Sequence, residues 1–271
     1  MLITPGLHEP LQAAVGGRMA NKSLGQHWLF DKAALGSIVG YADIKKGDVV
    51  LEIGPGLGTL THELLDAGAN VVAVELDESL AGELKDRFAE KDFQLRLEDI
   101  LAFDFSSLPK GYKIVANIPY YLTSHLLRII CESSNRPKKV VLLVQKEVAE
   151  RVSAIPGSMS LLAVSVQTYA EVSLGELVPA KLFSPPPKVD SRSLILDFYD
   201  LPRVGDEKHF FQIVKAGFSQ PRKKLRSSLA GGLHISNEAA DKLLFSVDID
   251  PSRRAQTLSI EEWEKLSLET K

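Results

Sequence analysis

The segment Val-Val-Leu-Glu-Ile-Gly-Pro-Gly-Leu-Gly-Thr, residues 49–59, decides the fold of this chain. Its first five residues, Val49–Ile53, form an apolar run that is typical of a strand buried on both faces. The glycines that follow let the backbone turn tightly and approach a ligand at the carboxyl end of that strand. A helical pattern, Leu60–Ala67, comes next. This order predicts the first β-α unit of a parallel sheet.

Further strand patterns continue on the C-terminal side of that unit. They are Val71–Glu75, Phe93–Leu97, Tyr112–Asn117, Lys139–Gln145, Ala170–Val178 and Arg192–Tyr199. Amphipathic helical patterns, Ser79–Ala89 and Ser124–Cys131, separate the earlier strands. Apolar strands that alternate with such helices predict a doubly wound, Rossmann-like sheet with helices on both faces.

After residue 200 the strand patterns stop and helical patterns follow, separated by glycine and proline breakers. They are Asp206–Phe218, Arg222–Leu229, Asn237–Phe245 and Ile260–Leu266. We therefore expect a poorly ordered segment over residues 1–20, an α/β domain over residues 21–199 and a small all-helical domain over residues 200–271.

The composition is that of an ordinary globular protein, with 45% hydrophobic and 25% charged residues and a formal net charge of −3. No apolar run approaches the roughly 20 residues that a membrane helix needs, and the N-terminus lacks a signal-peptide pattern. The single cysteine, Cys131, excludes an internal disulfide, which favours a packing role in a reducing cytoplasm. The histidines show no metal-ligand spacing, so we expect no bound metal. The absence of a long apolar run predicts no association with a membrane.

The basic residues are unevenly distributed. The stretch from Lys215 to Arg226 contains no acid, whereas acids concentrate between Glu75 and Asp104. Phosphate contacts require Lys and Arg side chains, so the acid-free stretch is a candidate RNA-binding surface. Its basic residues are Lys215, Arg222, Lys223, Lys224 and Arg226. The alternative is a solvated helix face.

The acids at the strand ends indicate a nucleoside cofactor. Glu75 ends the second strand, where an acid accepts hydrogen bonds from ribose hydroxyls, and Asp99 follows the third, where a carboxylate meets an adenine amine. Dinucleotide enzymes prefer G-x-G-x-x-G, but Gly58 comes one residue early and Thr59 takes the sixth position. Acidic Glu52 also suits a cationic ligand. These departures predict S-adenosylmethionine rather than NAD.

The motif Asn117-Ile118-Pro119-Tyr120 at the end of the fourth strand indicates the chemistry. The exocyclic N6 amine of adenine is a poor nucleophile because its lone pair is delocalised into the ring. The side-chain carbonyl of Asn117 and the backbone carbonyl of Ile118 are candidates to accept both N6 hydrogens. Pro119 stiffens the loop, and Tyr120 offers a ring on which the base stacks. Positioning and electrostatics then replace a strong base.

These motifs, with others, resemble the ribosomal RNA adenine dimethyltransferases, in particular their housekeeping small-subunit branch. The similarity extends from about Lys22 to Leu266. The motifs that carry it are Lys22–Leu29, Glu52–Gly58, Val74–Asp77, Asn117–Tyr120, Gln145–Val148, Phe183–Ser191, Phe218–Arg226 and Asp250–Ala255. The resemblance implies dimethylation of N6 on adenines, two of them adjacent, in small-subunit 16S ribosomal RNA during ribosome biogenesis.

The resemblance also implies which residues do this. By position, the cofactor contacts are His27, Leu29, Gly54, Glu75, Asp99 and Asn117, to which Glu52 and Gly56 of the turn are added. The adenine is handled by Asn117, Ile118, Pro119 and Tyr120, with Phe183 as a second aromatic face. Arg253 of the Asp250–Ala255 motif joins the candidate RNA contacts. The implied partners are the small ribosomal subunit and its RNA, bound by a cytoplasmic monomer.

The chain departs from the family pattern at two places. His27 and Trp28 replace an Asn and a Phe, so a cofactor contact through the His27 side chain does not follow from the resemblance. The segment Gly157–Leu161 lacks the Tyr-Gly-Arg usual after Pro-Gly, which predicts an altered substrate-side loop. Tyr121, next to the motif residue, is expected to pack within its loop.

Three alternatives differ from this hypothesis. An antibiotic-resistance dimethylase would act on large-subunit RNA, but the loop Pro185–Ser191 and the basic segment favour the small-subunit enzyme. An RNA-binding assembly factor without methyl transfer would not need Glu75, Asp99 and the Asn117–Tyr120 motif together. A small-molecule oxidoreductase disagrees with the glycine spacing.

Overall fold

The structure is a computed structural model, and it describes residue 21 and residues 24–270. The expected disorder of residues 1–20 lies outside this range. The strands are β1 (Trp28–Leu29), β2 (Val49–Ile53), β3 (Asn70–Glu75), β4 (Phe93–Leu97), β5 (Lys113–Asn117), β6 (Lys139–Gln145), β7 (Ala170–Val178), β8 (Phe183–Ser184) and β9 (Ser191–Phe198).

Ten α-helices are assigned within the described residues. They are α1 (Lys32–Tyr41), α2 (Thr59–Asp66), α3 (Glu78–Arg87), α4 (Thr123–Glu132), α5 (Lys146–Val152), α6 (Leu161–Gln167), α7 (Glu207–Gly217), α8 (Leu225–Leu233), α9 (Asn237–Ser246) and α10 (Ile260–Glu269). Short 3₁₀ turns follow β4 and β5, at Ile100–Ala102 and Tyr120–Leu122.

The main sheet has seven strands in the order β4-β3-β2-β5-β6-β9-β7, flanked by helices. The strands from β4 to β6 are parallel to their neighbours, and β9 is antiparallel to β6. This confirms the predicted Rossmann-like fold class, with β9 reversed against β6. A separate two-stranded pair joins β1 to β8, with Leu29 opposite Phe183.

The buried strands explain why this sheet forms. Residues 50 to 53 of β2 are all at most 2% exposed, as are the apolar residues Val140 to Val144 of β6. Apolar strands of this kind need cover on both faces. The helix α2 starts at Gly58, which has a left-handed φ of 78°. A Cβ atom there would lie 2.8 Å from the ring of Phe88, so both backbone conformation and space require glycine.

The chain forms two compact units. Within the described residues, one contains the residues from 21 up to 149 and 173–197, and the other contains residues 150–172 and 198–270. The second unit has its own apolar core around Trp263 and Phe210, both fully buried. Residues 150–172 thus join the helices that follow residue 198. The single domain boundary expected near residue 200 stays a prediction.

The structure corrects one helix boundary in the second unit. We expected a helix from Arg222, but α8 begins at Leu225 and the residues 221–224 form a turn. The backbone N–H of Leu225 donates to the carbonyl of Arg253 at 2.7 Å, which fixes where the helix starts. The basic residues Arg222, Lys223 and Lys224 therefore lie on an exposed turn and not on a helix face.

Among the described residues, no helix is long and apolar enough to cross a membrane. The same residues contain no group of three or more His, Cys, Asp or Glu side chains placed to hold a metal ion. Cys131 is buried at 2% exposure, in the packing position expected for it.

Candidate active site

A cavity of about 200 Å³ opens where β2, β3, β4 and β5 end. The carboxyl ends of parallel strands meet at one edge of a sheet, so the loops that follow them surround a common space. The wall includes every residue that we expected to contact a cofactor. These are His27, Leu29, Glu52, Gly54, Gly56, Glu75, Asp99 and Asn117. Ile118, Pro119 and Tyr120 line the same cavity.

The glycine turn after β2 forms one wall. Gly54 and Gly56 have left-handed φ angles of 67° and 57°, which favour glycine. The N–H of Gly54 donates to the carbonyl of Val74 at 2.8 Å, so the turn is tied to β3. A Cβ atom on Gly56 would lie 3.2 Å from the Trp28 ring, so a larger residue would press on that side chain. The turn is fixed on both sides.

Glu75 holds this wall together. Its Oε1 accepts the N–H groups of Leu76 and Asp77 at 2.8 and 2.9 Å, and its Oε2 accepts the N–H of Gly56 at 3.2 Å. The residue is only 6% exposed. A carboxylate offers about four acceptor positions. Three are occupied, so the remaining capacity toward a ligand lies on Oε2.

Glu52 lies in the same wall but in a different environment. It is 1% exposed, and its Oε2 accepts the hydroxyl hydrogen of Thr61 at 2.6 Å. Burial raises the pKa of Glu52 to about 8, the nearby charge of Glu75 adds to this rise, and the Thr61 hydrogen bond opposes it. The environment of Glu52 therefore favours the protonated form of its carboxyl group.

Asp99 lies on the opposite rim and is exposed. Its Oδ1 accepts the N–H of Leu101 at 2.9 Å and caps the short turn that begins at Ile100. The cap fixes the carboxylate beside Ile100 and Leu101, which also line the cavity. A carboxylate next to apolar side chains suits the edge and face of a purine ring.

Asn117 is oriented by its own hydrogen bond. Its Nδ2 donates to the backbone carbonyl of His27 at 3.0 Å. Because the amide nitrogen is directed to that carbonyl, Oδ1 is the atom left to accept a hydrogen bond from a ligand. The neighbouring Ile118 is 2% exposed and Pro119 half-buried. This is the arrangement that the acceptor hypothesis requires.

Tyr120 is held at both ends. Its hydroxyl makes a 2.7 Å hydrogen bond with the hydroxyl of Ser191, and its ring stacks on His27 with centroids 6.0 Å apart. Burial raises the pKa of the Tyr120 hydroxyl, the Ser191 hydrogen bond lowers it, and the charge of Asp190 raises it. The ring is thus neutral and fixed in place.

Tyr121 corrects one expectation. It does not pack within its loop, since it is 62% exposed and lines the cavity at its rim. The left-handed backbone of Gly25 brings residue 25 against it, because a Cβ atom there would lie 3.4 Å from the ring. Its position next to the motif residue Tyr120 in the sequence could have indicated that Tyr121 lines the cavity.

Phe183 lies elsewhere in the unit. It is 4% exposed, pairs with Leu29 across the β1–β8 pair, and belongs to the apolar core beside α1 and β2. It does not line the cavity wall. Its role as a second aromatic face stays a prediction.

The candidate RNA residues of the second unit fall into two groups. Lys215, Arg222, Lys223 and Lys224 are exposed. Arg226 is half-buried and pairs with Asp241 at 3.2 Å. Arg253 donates to both carboxylate oxygens of Glu262 and to the carbonyl of Thr257, and the Glu262 hydrogen bond raises the pKa of this guanidinium. Its guanidinium thus has structural partners.

Glu52 generates the first prediction. Between its ordinary pKa of 4.5 and its folded value of about 8, the folded state keeps a proton that the unfolded chain releases. The contribution of Glu52 to the free energy of unfolding should therefore fall as the pH rises across this window. Glu52→Gln should flatten that fall in urea unfolding, whereas exposed Glu90→Gln should not. Parallel pH profiles for wild type and Glu52→Gln would contradict the assignment.

Comparisons with known proteins give the family of the chain. The ribosomal RNA adenine dimethylase family matches residues 17–271. The ribosomal RNA small subunit methyltransferase A of Dehalococcoides mccartyi (strain CBDB1) is 44% identical over 256 residues, covering 92% of this chain and 88% of that protein. The protein of the same name from Clostridium acetobutylicum is 40% identical over 258 residues, covering 91% and 92%.

Solved structures show the same fold. A dimethyladenosine transferase from Plasmodium falciparum aligns with a TM-score of 0.79 and 27% identity, over 90% of this chain and 97% of that one. The 23S rRNA methyltransferase ErmE aligns with a TM-score of 0.74 and 25% identity, over 89% and 98%. These matches confirm the prediction of an S-adenosylmethionine-dependent methyltransferase. The chain belongs to the ribosomal RNA adenine dimethylase family.

Proposed function

We propose that this enzyme dimethylates N6 of adenines, two of them adjacent, in small-subunit ribosomal RNA. One observation carries the proposal: a single cavity combines the Glu75-fixed glycine turn with Asn117, whose amide nitrogen is bound by the His27 carbonyl. The first feature suits an adenosine cofactor, and the second leaves an oxygen acceptor for an adenine amine. The target adenine and the methyl donor thus meet at one strand edge.

The donor set fits S-adenosylmethionine. Glu75 has acceptor capacity for a ribose hydroxyl, and Asp99 is exposed beside apolar Ile100 and Leu101 for an adenine. The carboxylate of Glu75 in this wall favours a cation over a pyrophosphate. When bound, the cofactor supplies an electrophilic methyl group. Leu29, Gly54, Gly56 and the backbone of His27 complete the proposed binding wall.

The chain's own groups position the adenine. Oδ1 of Asn117 and the backbone carbonyl of Ile118 accept the two N6 hydrogens, which favours the pyramidal geometry in which the nitrogen lone pair is localised. Pro119 and Tyr120 follow in the same turn, and the fixed, neutral Tyr120 ring stacks on the base. No strong base is needed because the nitrogen loses its proton after attack. Orientation within the cavity supplies the rate enhancement.

The small subunit is the better substrate hypothesis. The relatives named as small-subunit enzymes are 40% and 44% identical, whereas the large-subunit enzyme ErmE is 25% identical. The loop Pro185–Ser191 and the basic turn support the same choice. We further propose that the enzyme works in a reducing cytoplasm, because its only cysteine is a free, buried thiol. We also propose that it binds immature small subunits as a monomer.

The RNA-binding proposal narrows to four residues. Lys215, Arg222, Lys223 and Lys224 are exposed, and the last three lie on the turn before α8. Arg226 and Arg253 each pair with an acid of the same unit, so they hold that unit together. We therefore propose that the four exposed side chains contact RNA phosphates. The two paired arginines stabilise the unit that carries them.

Glu75 provides the test of the cofactor site. Glu75→Gln keeps Oε1 for the N–H groups of Leu76 and Asp77 but replaces Oε2, which accepts the N–H of Gly56 and has acceptor capacity toward a ligand. The lost contact is worth about 1.5–3 kcal/mol, so the dissociation constant should rise at least about tenfold. Calorimetric titration with S-adenosylmethionine measures it, with NAD as the competing ligand. An unchanged affinity, or binding of NAD alone, would remove Glu75 from this role.

Asn117 provides the test of the chemistry. Asn117→Ala removes the acceptor, which should cost roughly 2.7–4 kcal/mol of transition-state stabilisation, or about two to three orders of magnitude in turnover. Asn117→Asp keeps an acceptor but places a carboxylate against the carbonyl of His27, so only partial activity should remain. Single-turnover methyl transfer to small subunits measures both, with thermal melting as the folding control. A folded Asn117→Ala enzyme at the wild-type rate overturns the mechanism.

The exposed turn provides the test of RNA binding. Changing Arg222, Lys223 and Lys224 to Glu should weaken binding to small subunits and reduce the slope of log K against log salt by about 2. A matched control changes the exposed Lys85, Lys91 and Lys110 of the first unit to Glu, with the same change in net charge. Equal losses in both variants would show a general charge effect. Cofactor affinity should stay constant in both.

A further inference from the structure

His27 contacts three separate parts of the site. Its backbone carbonyl accepts the amide of Asn117, its ring stacks on Tyr120, and its Nδ1 lies 2.7 Å from the carbonyl of Pro185. These contacts connect positions 90 and 158 residues apart in sequence. All of them lie on the side of the cavity formed by the Asn117–Tyr120 motif. The hydrogen bond and the ring contact of its side chain are made with Pro185 and Tyr120.

We propose that His27 is a positioning residue for the target adenine, which holds Tyr120 and Asn117 in place, and that its side chain is not a cofactor contact. The inference rests on the proposed function, in which those two residues receive the adenine. It departs from the role that the family resemblance implies at this position.

The hydrogen bond to Pro185 fixes the tautomer of His27. A carbonyl oxygen only accepts, so Nδ1 must carry the proton. In the neutral ring Nε2 is then the unprotonated nitrogen. The bond also restricts rotation of the imidazole, because Nδ1 must stay within hydrogen-bond distance of the Pro185 carbonyl. The plane that results lies 23° from that of Tyr120.

Tyr120 is therefore clamped between two supports. Ser191, which is fully buried, holds its hydroxyl, and His27 covers one face of its ring. Loss of the imidazole would leave the ring anchored only at its hydroxyl end. A base that stacks on a mobile ring spends less time in the geometry that reacts. The side chain of His27 thus acts on the adenine through Tyr120.

The backbone of residues 27–29 has a second attachment to the same loop. Trp28 and Leu29 pair with Ser184 and Phe183 in the β1–β8 pair, directly beside Pro185. The hydrogen bond from the His27 side chain to the Pro185 carbonyl joins the next residues of the same two segments. The carbonyl that holds the Asn117 amide belongs to His27 itself, so its position depends on this attachment. The ring and the carbonyl of one residue consequently set both adenine contacts.

Two variants separate the ring from the hydrogen bond. His27→Phe keeps an aromatic ring and removes the Nδ1 donor, whereas His27→Asn keeps an amide donor and removes the ring. Each should lower the single-turnover rate at saturating cofactor by about threefold to tenfold, the effect of one neutral hydrogen bond or one aromatic contact. His27→Ala should lower it further. The dissociation constant for S-adenosylmethionine should stay within about twofold in all three, since a uniform ligand contact would change it.

Nitrogen NMR of the imidazole gives a readout that does not depend on activity. With the wild-type protein, the ¹⁵N spectrum should show His27 protonated at Nδ1, and Tyr120→Leu should leave that tautomer unchanged. A neutral Nε2–H tautomer would overturn the proposal. So would variants that weaken cofactor binding while the rate at saturation is unchanged, or variants with no effect on either. The two proposals fail in different ways. If the wild-type protein transfers no methyl group, the proposed function fails, whereas the tautomer measured by NMR still tests the contact of His27 with Pro185.

Discussion

The carboxylate of Glu75 is the interaction on which the cofactor end depends. Its three N–H donors come from two different loops, the glycine turn after β2 and the first residues after β3. Parallel strands bring those loops to one edge, but the edge alone does not fix their distance. A buried carboxylate that accepts N–H groups from both loops fixes this distance, because each N–H left without a partner would carry a desolvation cost. The turn is therefore preorganised before any ligand is bound.

The adenine end is fixed by a different contact, between Asn117 and the carbonyl of His27. An amide that rotates presents a donor as readily as an acceptor, and only the acceptor suits an N6 amine. Directing Nδ2 to a backbone carbonyl removes this ambiguity. The two ends thus use the same device, in which backbone groups orient a functional side chain. Both devices lie within the first unit.

Much of this site follows from the sequence because strand ends are local patterns. The runs that precede Gly54, Glu75, Asp99 and Asn117 identify the strands, and parallel order then places these residues together. What the sequence does not predict depends on distant partners. The bond between His27 and Pro185 spans 158 residues, and the pair of Arg253 with Glu262 looks like two separate surface charges until the chain is folded. Side chains with such partners change roles without any change in motif.

The predicted start of the helix at Arg222 was wrong for a related reason. The pattern from Arg222 has helical spacing, but the carbonyl of Arg253 binds the N–H of Leu225, and this contact ends the turn there. Phe183 lies opposite Leu29 in the β1–β8 pair and packs in the core. A two-residue strand carries too little pattern to be recognised from sequence. Tertiary contacts override local preference at both positions.

The two carboxyl groups of the cavity wall, Glu52 and Glu75, show how one edge provides different chemistry. Glu75 accepts three N–H groups, whereas Glu52 has one hydroxyl partner and full burial, which raises its pKa to about 8. A cationic ligand placed against this wall would favour the charged form of Glu52 and oppose the effect of burial. Cofactor binding should therefore release a proton from Glu52 below pH 8. Burial thus opposes charge on Glu52, whereas three N–H donors surround the neighbouring carboxylate of Glu75.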